Sequence, residues 1–97
     1  MKITLFRSSG EVDSVIEFDS SSENNTGKIR TLCDHLIAGN KCDVEGFIVG
    51  SRSLADLLAN LKANAVEFDI DLIYNEYSSF WLELMKKNIE LISTIIK

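Results

Sequence analysis

Few side chains in this sequence could do covalent or metal chemistry. The thiols are Cys33 and Cys42, and the only imidazole is His35. If they converged they could hold zinc, and Cys33 with His35 as base could be a nucleophile. Their surroundings argue against both. Ile29, Leu32, Cys33, Leu36 and Ile37 recur at i, i+3, i+4, i+7 and i+8, the apolar stripe of an amphipathic helix. Residues two apart on a helix point about 200° apart. Cys33 therefore faces the core, and His35 faces away with Lys28 and Thr31. Cys33 reads as a small core residue, and Cys42 as a loop thiol with no cause for a lowered pKa. No metal ligands and no catalytic residues are expected.

Carboxylates are the more abundant chemistry. Glu67, Asp69 and Asp71 alternate with Val66, Phe68, Ile70 and Leu72. A period of two predicts a strand over 66–72, with the acids on one face and the apolar residues on the other. Successive carboxylates would stand about 7 Å apart. Acid–base hydrolysis needs two carboxyl groups in different environments, and a solvated row supplies one environment only. A calcium loop of the Asp-x-Asp-x-Asp-Gly kind is absent. Residues 46–53 run from a strand to a helix start, where anions can bind, but lack the Gly-Lys-Ser/Thr ending of a phosphate loop. No cofactor and no enzymatic turnover are expected.

The elements that must position these residues read as follows. Residues 2–7 and 12–19 alternate around Ser8-Ser9-Gly10 and predict a β-hairpin. Val12, Ser14, Ile16 and Phe18 would face one way, and Asp13, Val15, Glu17 and Asp19 the other. Residues 20–27 read as a polar loop, with Asn25 or Thr26 capping the helix that carries Cys33. Gly39-Asn40 stops that helix. Residues 44–49 are a short apolar run, expected to be one strand covered on both faces or at the sheet centre. Ser53 and Asp56 approximate a capping box for a second helix with Leu54, Leu57, Leu58 and Leu61. A last helix buries Trp81, Leu84, Met85, Ile89, Ile92, Ile95 and Ile96. The expected fold is an α+β two-layer sandwich of order ββαβαβα, a mixed four-stranded sheet with three helices on one face. One long helical region over 51–74 is the competing reading, and strict alternation argues against it.

Ninety-seven residues predict a single domain spanning 1–97. The net charge is −5, and its placement matters more than its size. Residues 8–27 carry five acids and no base, as do residues 63–85. Such a field repels nucleic acid and anionic lipid and attracts basic proteins. No signal peptide and no membrane-length apolar run are visible, which predicts a cytoplasmic protein with reduced thiols.

Five of the eight aromatic residues, Phe68, Tyr74, Tyr77, Phe80 and Trp81, fall next to the second acidic segment. Tyr and Trp beside carboxylates are frequent interface anchors. Like charges side by side weaken a sheet, so folding alone does not ask for this pattern. The expected partner-binding residues are Asp13, Glu17, Asp19, Glu67, Asp69, Asp71, Tyr74, Glu76 and Tyr77. In overall design, these residues resemble the small acidic immunity proteins of bacterial toxin–immunity pairs, of the colicin or contact-dependent growth-inhibition type. The resemblance implies an inhibitor that neutralises a basic toxin, such as a nuclease, by occluding its active or substrate-binding site. The alternative is a non-catalytic adaptor or phage-encoded interaction protein that self-associates through Ile89–Ile96. Either way a monomer or weak dimer is expected.

Overall fold

The computed structural model describes residues 1–96, with side chains through residue 87. Strands β1 (Lys2–Phe6) and β2 (Val12–Glu17) form the expected hairpin. Gly10, at φ 91°, closes its turn and donates to the Arg7 carbonyl at 2.9 Å. The run 44–49 is not one strand. It belongs to a second hairpin, β3 (Cys42–Val44) and β4 (Phe47–Val49). Its two loop residues, Glu45 and Gly46, both have positive φ, 52° and 90°, as a two-residue type I′ connection requires. Gly46 N–H donates to Asp43 Oδ1 at 2.8 Å and fixes the turn. The sheet order is β2-β1-β3-β4, and every neighbouring pair is antiparallel. The expected mixed sheet is therefore corrected, because the fourth strand comes from this hairpin and not from residues 66–72.

Ile3, Leu5, Ile16 and Cys42 line the buried sheet face. The opposite face holds the cross-strand row Val15, Thr4, Asp43 and Ile48. Val12 was expected to point inward. The register shifts between Leu5 and Phe6, so that Val12 pairs with Phe6 and is 54% exposed.

Helix α1 (Ser22–Ile37) begins inside the expected loop. Ser21, rather than Asn25 or Thr26, is the N-cap, its Oγ accepting from Asn24 N–H at 3.3 Å. Gly39 ends the helix as expected, at φ 94°, with Asn40 N–H donating to the His35 carbonyl. After a 3-10 turn at Ser51–Ser53 comes α2 (Leu54–Ala63). Its four stripe leucines are buried, but the Ser53 side chain makes no capping bond, so the expected box is not formed. The core lies between the inner sheet face and the stripes of α1 and α2.

Residues 66–72 depart most from expectation. Alternation holds for four residues only: Val66 and Phe68 are buried, Glu67 and Asp69 exposed, in an extended segment that joins no sheet. The Asp69 carboxylate then accepts from Leu72 N–H at 3.0 Å and caps α3 (Ile70–Glu76). Ile73 is buried and Ile70 half-buried, at helical spacing. The extra element makes four helices instead of three. After Tyr77 the chain continues as α4 (Ser78–Ile96), and the order is ββαββααα. Met85, expected in the buried stripe, is 59% exposed. Ile89, Ile92, Ile95 and Ile96 lie outside the described side chains. Among the described residues no helix is long and apolar enough to cross a membrane.

Candidate functional site

The extended link 66–69 lacks a strand partner, and side chains from α1 satisfy its backbone instead. Asn25, fully buried, donates from Nδ2 to the carbonyls of Glu67 at 2.9 Å and Asp19 at 2.8 Å. Its Oδ1 accepts from Asp19 N–H at 3.0 Å. Thr26 Oγ1 accepts from Asp69 N–H at 3.0 Å. Lys62 donates its ammonium to the Phe68 carbonyl and sits 4.6 Å from the centre of the Phe68 ring. The carboxylates of Glu67, Asp69 and Asp71 are left exposed. None of the three forms an ion pair among the described residues. Asp69 and Asp71 stand at the first turn of α3, where the helix dipole favours negative charge. One turn along from Asp71, Tyr74 is 39% exposed and meets Trp81 edge-on at 5.4 Å.

The other expected site residues are engaged within the chain. Asp13 pairs with Arg7 at 3.4 Å, and Glu17 with Lys2 at 3.1 Å. Asp19 accepts from Ser21 N–H at 2.7 Å and lies 3.5 Å from Lys28 Nζ. The Ser21 amide first, and Lys28 with it, holds the Asp19 carboxyl below its ordinary value. Glu76 grips the Arg30 guanidinium with both oxygens, at 2.7 and 2.5 Å, which lowers Glu76 and raises Arg30. The Tyr77 hydroxyl donates to Asp34 Oδ1 at 2.7 Å, with the Arg30 carbonyl 3.1 Å away. Burial and Asp34 together push the phenol upward. The nine expected binding residues therefore do not form one free acidic surface. They divide into locally paired acids around β2 and an acidic knuckle at 67–71 that has no ion pair among the described residues.

The thiols are poor nucleophiles. Cys33 is a core residue as expected, and burial pushes its thiol up to about 12, with Asp34 and Glu76 adding to the effect. Cys42 is not in a loop but on β3, fully buried, with its thiol pushed up to about 11. His35 is half-buried, not fully solvated, with Nε2 3.0 Å from the Lys41 carbonyl. No trio of metal-ligating side chains converges among the described residues.

Two surface features escaped the sequence reading. Phe47 and Ile48, expected in a covered strand, are 76% and 60% exposed: β4 is an edge strand, and Ile48 lies on the sheet face away from the core. The turn signal Glu45-Gly46 inside the apolar run could have revealed this. Beside the β4 edge lies a cleft of about 310 Å³, floored by Met1, Val44, Val49 and Leu57. Comparison with protein-family models, curated proteins and solved structures finds no match to this chain.

Proposed function

We propose that this chain is a non-catalytic binding protein that neutralises a basic protein partner by covering its working surface, the partner being a nuclease toxin. One observation carries the reading. Glu67, Asp69 and Asp71 stay exposed and without a described base, whereas the acids of β2 each have one. Carboxylates on a short, anchored turn present fixed charge at low ordering cost. Complementary charge of this kind accelerates encounter and selects the partner. Tyr74 beside them supplies aromatic contact area. The contact surface is accordingly narrower than the nine expected residues: Glu67, Asp69, Asp71 and Tyr74 form it. Asp13, Glu17, Asp19, Glu76 and Tyr77 are engaged by partners within the chain.

The test compares the wild-type chain with a triple variant, Glu67→Gln, Asp69→Asn and Asp71→Asn. Asn at 69 retains the helix cap, so the fold is kept. Immobilised wild-type chain is expected to retain a basic protein at low salt, release it at high salt, and abolish its nuclease activity when bound. The triple variant should associate on the order of tenfold more slowly, with a flatter salt dependence. Equal association by both chains, or a captured partner whose activity is untouched, overturns the reading.

A further inference from the structure

The two edges of the sheet are built differently. β2 carries Asp13 and Glu17, and a register shift breaks its pairing near Val12. Charge and irregularity are the usual devices that keep an edge strand from recruiting another chain. β4 has neither. Its sequence is Phe47-Ile48-Val49, without charge or proline, and its first two side chains are largely exposed. The two-residue turn makes Val44 and Phe47 a hydrogen-bonded pair, so the N–H and C=O of Ile48 point away from β3 to the open side.

We infer that β4 pairs antiparallel with β4 of a second copy, joining two four-stranded sheets into one of eight strands about a two-fold axis at Ile48. This inference is independent of the acidic knuckle. A two-fold axis there places Ile48 opposite Ile48 of the second copy, exchanging both backbone hydrogen bonds. Phe47 falls opposite Val49 of the second copy, beside the cleft whose apolar lining is Met1, Val44 and Leu57 and whose rim includes Asp56 and Asn60. β4 itself carries no charge, so no like charges oppose each other across the paired strands. Centring a β2 pair on Val15 would instead oppose Asp13 to Glu17. The contact is isologous and closes at two copies. Three residues of edge strand make a weak dimer, with a Kd of about 10 μM.

The test uses the full chain. Light scattering at about 1 and about 300 μM brackets that affinity, and the mass should rise towards twice the monomer value. Ile48→Lys should weaken dimerisation at least tenfold and leave the unfolding midpoint of the monomer unchanged, because the side chain is already exposed. Opposed hydrogen-bonded residues have Cα atoms about 5.5 Å apart, within disulfide reach. Ile48→Cys should therefore cross-link on mild oxidation, while Val15→Cys, equally exposed on the same sheet face, should not; Cys33 and Cys42 are buried. A monomer at both concentrations, a dimer indifferent to Ile48→Lys, or equal cross-linking by both cysteine variants overturns the inference.

Discussion

Asn25 replaces an absent strand. Its amide satisfies three backbone groups, on Asp19 and Glu67, and it is fully buried. Asn25→Ala would leave those groups without partners and is expected to cost about 2–3 kcal/mol, measured as a lower urea midpoint. Nothing local announces this role. Asn is a surface type by habit, and Asn24-Asn25-Thr26 reads as a loop or cap. The partner that buries it lies 42 positions away, and no short-range pattern carries such information. Cys33 was legible for the opposite reason. Its burial follows from helix phase alone, which five residues of sequence suffice to set.

Elements were legible where one signal stood alone and misread where two competed. The stripe of α2 and the β1–β2 hairpin are examples of the first kind. Residues 66–72 are the second. Their alternation favours a strand, while Asp69 followed by Asp71 is a helix-start pattern. In the sequence the alternation is the longer of the two patterns. In the fold the cap at Asp69 wins, and Asn25, Thr26 and Lys62 satisfy the backbone of 67–69 in place of a strand neighbour. The stop of α2 contributes. Ala65 sits at φ 63°, with its N–H donating to Lys62 and that of Val66 to Leu61, a Schellman ending. An L side chain is strained in that conformation, and nothing but exposure surrounds it. Ala65→Gly is expected to stabilise the protein by about 1 kcal/mol, read as a raised midpoint in thermal unfolding.

At the scale of the molecule, charge was legible in amount and sign but not in pairing. The net −5 is distributed so that Lys2, Arg7, Lys28 and Arg30 each neutralise an acid close in space. Two of these acids couple stability to pH. Asp19 and Glu76 ionise below their ordinary values of 3.8 and 4.5 in the folded chain. Their contribution is complete above those ordinary values and is lost as pH falls through the lower folded ones. Glu76→Gln is expected to flatten the decline in the urea midpoint between about pH 5 and about pH 3, since it removes one of the two coupled groups.

Trp81 is the chain's sole tryptophan. Its indole Nε1 is shut away from water and finds no hydrogen-bond acceptor among the described residues, and its ring meets those of Tyr74 and Phe80 edge-on at 5.4 and 5.0 Å. Tyr74 belongs to α3 and borders the carboxylates of the knuckle, while the indole itself rides on α4. The protein thus carries its own optical gauge. A ligand seated on the knuckle would change the colour of Trp81 emission through Tyr74, without any dye attached.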